Sequence, residues 1–152
     1  MTIRPLSYPF HIDLFLSIEC SRVMKTNITH IRVRYAETDS MKVAYNANYF
    51  IWFEVGRNEI MRDLGYPYAQ LESEGFFLPV IEAHCNYIKP IRYDDELELH
   101  SSFAEQNGAR IRIEYKILCK TILVATGYTI HAFTDHSGRP ARPPREFLEK
   151  LK

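Results

Sequence analysis

The chain has 152 residues, 46% of them hydrophobic and 25% charged, with 19 basic residues balanced by 19 acidic ones. That length suits one domain with a genuine core, and the even balance argues against a dedicated nucleic-acid binder, which would carry a basic excess. The three cysteines, Cys20, Cys85 and Cys119, are odd in number, widely spaced and without a CxxC pair, which argues against a disulfide framework or zinc site and for a reducing, cytoplasmic setting.

The first segment, residues 1–23, has a short apolar patch from Ile12 to Ile18, interrupted by Asp13 and followed by Glu19. It lacks the clean apolar core of a signal peptide, and nothing in the chain reaches the roughly 18 apolar residues of a membrane span. Residues 1–23 read as an extension upstream of a possible start at Met24, with residues 24–152 as a single domain. From Ile31 the pattern has period two. Ile31, Val33 and Tyr35 share one side and Arg32 and Arg34 the other, as in a half-buried strand.

The pattern breaks over residues 36–46. Asn46 or Asn48 is then a suitable cap for the helix predicted over 47–64. Polar residues Glu54, Asn58 and Arg62 recur every four positions, flanked by Arg57 and Glu59, against an apolar side that includes Phe53, Gly56, Ile60 and Leu64. Gly56 inside this helix points to a close approach between helix and sheet, and Gly65 suits the position after its end. Pro67 fits the first position of a short second helix ending near Gly75.

Four strand-like runs follow: FFLPVIEAHCNYIK, ELELHSSFAEQ, ARIRIEYKILCK and ILVATGYTIHAFTD. Pro90 to Asp95 separates the first two, Asn107-Gly108 is a hairpin signal, and His136-Ser137-Gly138 closes the last. Pro143 and Pro144 open a C-terminal helix, REFLEKLK. The hairpin-like links favour an antiparallel sheet. The fold class is α+β, with one long helix on one sheet face.

Asp39 is the first candidate for chemistry. It lies between a strand and a helix N-terminus, whose unpaired N–H groups can stabilise a carbonyl oxygen gaining negative charge. A carboxylate facing the same spot can attack that carbonyl or activate water. The plainer alternative is an Asx-turn. Glu54 and Arg57, one turn apart, suit an ion pair or a place near the mouth of a site. Lys89, Arg92 and the tail arginines Arg139, Arg142 and Arg145 could meet phosphates or simply be solvated. Tyr45, Tyr49, Phe50, Trp52 and Phe53 could line a pocket or pack the helix. The histidines form no convincing site. His84 and Cys85 are strand neighbours and so point to opposite faces. No HExxH, GxSxG, phosphate-loop or dinucleotide-loop pattern is present.

Two stretches, VRYAETDSMKVAYNANYFIWFEVGR and LPVIEAHCNYIKPIRYDDELEL, resemble the hotdog-fold acyl-CoA thioesterases of the 4-hydroxybenzoyl-CoA thioesterase superfamily, in the YbgC/FadM branch. The first has that branch's acidic-Thr-Asp turn before a long helix, and the second its Pro-x-x-Tyr-Asp-Asp turn. The resemblance implies a hotdog fold, a five-stranded antiparallel sheet wrapped on the long helix. It also implies a homodimer or homotetramer with active sites at an edge-to-edge interface, and hydrolysis of an acyl-CoA to a carboxylic acid and free coenzyme A. Asp39 falls on the family's catalytic aspartate, and Asn46 on the position whose backbone N–H polarises the thioester carbonyl. Tyr45, Ala47, Tyr49, Glu54, Lys89 and Arg92 fall to substrate binding. No metal or cofactor is implied, coenzyme A being part of the substrate; an acyl carrier protein is an alternative acyl donor. Many relatives carry His at position 46 and glycine after the aspartate, where this chain has Asn46 and Ser40-Met41-Lys42. The alternative reading is a non-catalytic module that binds acyl-CoA or acyl carrier protein in lipid metabolism. A hotdog dehydratase fits less well, since its His-Phe-Pro type motif is missing.

Overall fold

The computed structural model describes residues 25–152, so the reading of residues 1–23 as an extension, and of Met24 as a start, lies outside the described residues. Strand β1 (Thr26–Arg32) leads through a 3₁₀ turn (Tyr35–Glu37) to helix α1 (Asn48–Asp63) and the short α2 (Tyr68–Ser73). Strands β2 (Val80–Tyr87), β3 (Glu96–Asn107), β4 (Arg110–Cys119) and β5 (Ile122–Ala132) follow, and α3 (Arg145–Lys150) ends the chain.

The five strands form one antiparallel sheet in the order β1-β3-β4-β5-β2. The α+β layout of one long helix on an antiparallel sheet is the one the sequence leads to. Alternation sets the face. Leu97, Leu99, Ser101 and Phe103 of β3, and Ile111, Ile113, Tyr115 and Ile117 of β4, are buried under α1 while their neighbours face outward. From the helix side come Trp52, Phe53, Ile60 and Met61. Phe53 stacks on Tyr115 with ring centroids 4.3 Å apart, an arrangement worth about 0.5–1.5 kcal/mol beyond the area buried. Gly56 lies at the close approach its position in the helix implied. A Cβ there would overlap Ser101 Oγ and come within 2.7 Å of Leu99 Cδ2.

Several local expectations are corrected. β1 ends at Arg32, so only Val33 of the Val33–Tyr35 continuation is buried; Tyr35, in the 3₁₀ turn, is 78% exposed. Neither asparagine caps α1. The N-cap is Ala47, Asn48 is the first helical residue, and no side chain caps the helix start. Pro67 is the N-cap of α2 rather than its first residue. The last strand stops at Ala132, short of the Thr134–Asp135 end of the sequence run, and Thr134 makes isolated bridges to Phe77 and Pro140.

The largest correction is topological. β2 does not hairpin onto β3 but pairs with β5 at the far edge of the sheet. The Ile88–Asp95 link therefore crosses the sheet's end. On the way it touches the segment after β1: Val33 N–H donates to Asp95 O at 3.0 Å and Ala44 N–H to Ile91 O at 2.7 Å. That crossing positions the site described next. The hairpin at Asn107-Gly108 forms, but Asn107 closes β3 opposite Arg110, and the two-residue turn is Gly108-Ala109, with Gly108 at φ +59°. Among the described residues no helix is long and apolar enough to cross a membrane.

Candidate functional site

Asp39 opens a small hairpin. Its N–H donates to Val43 O at 3.0 Å, Lys42 N–H returns to Asp39 O at 2.9 Å, and Thr38 and Ala44 bridge across the base. Ser40, Met41 and Lys42 form a three-residue loop ending in a left-handed residue, Lys42 at φ 61°. The Asp39 side chain takes part, since Oδ1 accepts Met41 N–H at 2.8 Å. The Asx-turn is thus present. It occupies one carboxylate oxygen and so fixes where the other points; among the described residues Oδ2 has no hydrogen-bond partner.

The loop is braced from behind by Glu37, a residue to which the sequence reading gave no role. The residue is 5% exposed, and its carboxylate accepts from Arg34 N–H at 2.7 Å, from the Arg34 guanidinium at 2.8 Å and from Trp52 Nε1 at 3.3 Å. Burial pushes this carboxyl up, but those hydrogen bonds from Arg34 and Trp52 outweigh it and hold it below the usual glutamate value. The Glu37 carbonyl accepts Tyr45 N–H at 2.8 Å and the Asn48 side-chain amide at 2.7 Å. Asn48 therefore ties the Asp39 segment to the helix start instead of capping it.

The chain then turns into α1 with two N–H groups unused. Asn48 N–H donates to Tyr45 O at 2.9 Å, whereas among the described residues the N–H groups of Asn46 and Ala47 have no partner. The Tyr45–Asn46 peptide is trans, so with its carbonyl turned toward the helix its N–H points the opposite way. Tyr87 on β2 pins the next peptide by donating from its hydroxyl to Asn46 O at 3.2 Å, and packs edge-on against Tyr49 with centroids 4.8 Å apart. Burial, with Cys85 and Tyr87 nearby, pushes the Tyr49 hydroxyl to about 12, so it stays neutral.

These groups line one open cleft of about 480 Å³. Its walls include Asp39, Tyr45, Asn46, Tyr49, Tyr87 and Lys89, with Met41, Val43, Ala44, Ile88 and Pro90. Of the residues singled out in the sequence, Asp39, Tyr45, Asn46, Tyr49 and Lys89 meet here. Ala47, Glu54 and Arg92 do not line it. Ala47 is the exposed N-cap, and Arg92 is exposed in the crossing link, its N–H bonded to Asp95 at 2.7 Å. Trp52 and Phe53 belong to the core. Tyr87 was missed because its position 41 residues from Asn46 becomes local only through the sheet order.

Glu54 lines a second recess, of about 300 Å³, between α1 and strands β2, β4 and β5. Its walls are Phe50, Ile51, Val80 and Ala83, and its polar members are Glu54, Arg57, Tyr115, Thr129 and His131. The expected Glu54–Arg57 ion pair is not formed among the described residues: Glu54 is exposed, and Arg57 is buried with its guanidinium 4.9 Å above the Tyr68 ring. His131, 1% exposed, is held neutral. Burial, and then the Arg57 charge, lower it to about 4. Cys85 is a poor nucleophile, burial having raised it to about 11. No cluster of metal-ligating side chains occurs among the described residues.

Residues 33–151 match the thioesterase-like superfamily, a range that holds the Asp39 hairpin, α1 and strands β2 to β5. The chain belongs to that superfamily. The hotdog thioesterase resemblance drawn from the two sequence stretches is therefore upheld, and the thioester hydrolase class is the class of this superfamily. Among solved structures, a DHNA-CoA thioesterase from Staphylococcus aureus is 35% identical, with a TM-score of 0.78 over 82% of this chain and 85% of its own. A hypothetical protein from Aquifex aeolicus is 33% identical, with a TM-score of 0.79 over 83% of this chain and 99% of its own. The acyl-CoA thioesterase YbgC of Haemophilus influenzae is 29% identical over 76% of this chain and 87% of its own length.

Proposed function

We propose that this thioesterase-superfamily chain hydrolyses an acyl-CoA at the Asp39 cleft. The observation that supports this best is the pairing, in one recess, of a half-buried carboxylate with one oxygen free among the described residues and the unused backbone N–H of Asn46. The thioester carbonyl oxygen lies against the Asn46 N–H and the start of α1. As the carbonyl becomes tetrahedral, its oxygen gains charge that this donor and the helix dipole stabilise. Asp39 Oδ2 either takes a proton from water, whose oxygen attacks the carbonyl, or attacks it directly to give an anhydride that water then opens. In both routes the carbon–sulfur bond breaks, coenzyme A leaves as the thiolate and takes up a proton, and the acid is released. A backbone donor is indifferent to its own side chain, so an asparagine at position 46 can serve. Lys89, on the cleft wall, meets a coenzyme A phosphate.

The acting unit is a homodimer joined through β2. That strand is a sheet edge with no partner on its outer side among the described residues, and it exposes Val80, Ile81 and Tyr87, with Ile88 just beyond. An open apolar edge of this kind is normally covered. A particle of monomer mass in light scattering at micromolar concentration would exclude this arrangement. The place of action is the cytoplasm, where coenzyme A thioesters and reduced cysteines both belong.

The deciding experiment is thiol release from short, medium, long and aromatic acyl-CoAs by the wild type and Asp39→Asn. Asn can keep the Oδ1 acceptor of the turn, so the variant retains its fold while losing the carboxylate. The expected result is turnover of at least one substrate and a loss of about 100-fold or more in the variant. Binding of acyl-CoA with no thiol release by the wild type would instead assign a binding module.

A further inference from the structure

Arg57 is the least explained charge among the described residues. It is 9% exposed and lines the second recess. Its Nε is sealed from solvent without a partner, and among the described residues the guanidinium makes no ion pair. A buried cation of this kind is held at a cost unless an anion reaches it. The aromatic face of Tyr68 beneath it offsets only part of that cost.

The other polar groups in the recess cannot serve as donors to a ligand. His131 Nδ1 lies 3.1 Å from Leu78 O, which can only accept, so Nδ1 carries the proton and Nε2 is an acceptor. Thr129 Oγ1, at 2.8 Å, therefore donates to Nε2, and Tyr115 OH, at 3.0 Å, donates to Thr129. Every hydroxyl proton is consumed inside the relay. Among the described residues the guanidinium is left as the one free donor of the inner recess, behind apolar walls from Phe50, Ile51, Val80 and Ala83. A ligand that suits this arrangement is apolar along its length and ends in an anionic oxygen.

The recess connects to the chemistry through the dimer. β2 runs from Val80, beside Arg57's recess, to Tyr87, beside the Asp39 cleft. Antiparallel pairing of two β2 edges about their middle sets Val80 against the partner's Tyr87. Each Asp39 cleft then faces the other protomer's Arg57 recess.

On the hydrolase and dimer readings above, we propose that the Arg57 recess receives the far end of the acyl group and selects thioesters whose acyl chain terminates in a carboxylate. Glu54, exposed at the mouth, repels the same tail and so weakens the selection. The probes are the non-hydrolysable carboxypentyl thioether of coenzyme A and its hexyl counterpart, titrated by calorimetry into the full-length protein. The wild type is expected to bind the carboxylate-tailed thioether about tenfold more tightly than the hexyl one, a preference that Arg57→Met abolishes. Equal binding by the wild type, or a preference that Arg57→Met leaves intact, overturns the proposal. So does free adipate binding as tightly as the tailed thioether, which would mark a site for free acids. If Arg57→Met does not fold, Glu54→Gln decides: the preference rises by about twofold or more if the tail passes Glu54, and an unchanged preference overturns the proposal. Thiol release from adipoyl-CoA and hexanoyl-CoA is read separately. Binding preference without thiol release would break the hydrolase reading and leave this one standing. Thiol release without preference would do the reverse.

Discussion

The two recesses, one at each end of β2, are built from different materials. Around Asp39 the polar geometry is mostly backbone: the hairpin bonds of Asp39, Lys42 and Val43, the Asn46 N–H left unused among the described residues, and the Tyr87 tether. Around Arg57 it is mostly side chain, from Tyr115 through Thr129 to His131, with only the Leu78 carbonyl from the backbone and, beside them, a guanidinium that makes no ion pair among the described residues. A backbone site tolerates changes of side chain but depends on the path of the chain. A side-chain site depends on identity and on burial, and its charges act on one another across little water. Chemistry that must work on any thioester carbonyl suits the first kind, and discrimination between acyl tails suits the second.

The sharpest way to break that division is at Asp39. If this recess carries the reaction, Asp39→Asn removes about two orders of magnitude or more of thiol release while the melting temperature stays within a degree or two of wild type. Asp39→Ala loses the Met41 N–H acceptor as well, and should also lower stability by about 1 kcal/mol. Equal activity of the wild type and the Asn variant would move the chemistry out of this recess.

The Arg57 recess should reveal itself in acid. His131 is lowered from 6.5 to about 4 by burial and the neighbouring Arg57 charge. A group with a depressed folded value favours folding fully above its unfolded value. That contribution fades as pH falls from about 6.5 and is gone below about 4, a loss of roughly 3 kcal/mol at 1.36 kcal/mol per unit. Denaturant melts of the wild type and His131→Gln across this window should show the slope in the wild type and a flatter curve in the variant. An NMR titration of His131 in Arg57→Met should give a higher midpoint than in the wild type. An unchanged midpoint would mean that burial alone sets the value.

The Asp39 recess has an acid response of its own, at lower pH and through a different group. Glu37 lies below its ordinary value, so its contribution is complete above about 4.5 and is lost as pH falls through the depressed value. Glu37→Gln removes a charged acceptor of the Arg34 N–H and of Trp52 Nε1, and should cost about 1–3 kcal/mol at neutral pH. Little of this comes from the Arg34 guanidinium, whose side chain is 74% exposed. The variant should show raised KM or lowered kcat for every acyl chain alike, since Glu37 braces the loop and touches no tail. A variant whose losses depended on the acyl group would blur the distinction between the recesses.

How each recess read in the sequence follows from the same difference. The Asp39 side is nearly contiguous, and a carboxylate just before an apolar helix is a local signal with a mechanism. What sequence could not provide was Tyr87, which arrives through β2's place at the far edge of the sheet. The capping reading failed for a related reason. Asn48 is committed to the Glu37 carbonyl, a contact that exists only because the 3₁₀ turn folds back on the helix start. The Arg57 recess is assembled from positions 54, 57, 115, 129 and 131, on one helix and two strands. Helical periodicity placed Arg57 beside the polar stripe, and a solvated pair with Glu54 was the natural expectation. Only the packing of α2 and β5 against it shows the residue to be enclosed. The strands and helices themselves were legible because alternation and turn residues are local, whereas the order of strands is not.

The smallest expected effect tests whether the Asp39 recess is strained into shape. Lys42 holds φ 61°, a left-handed conformation that costs a residue with a Cβ about 1–2 kcal/mol and glycine almost nothing. Lys42→Gly should therefore stabilise the protein by up to about 1 kcal/mol, part of the relief being offset by the greater freedom of glycine in the unfolded chain. If hydrogen bonds alone hold the hairpin, kcat is unchanged, because the Asp39–Lys42 bond and the Asx-turn need the path of the chain and not the lysine side chain. If kcat falls while stability rises, the lysine was keeping the loop from sampling other shapes, and the rigidity of this backbone-built site depends on a side chain after all.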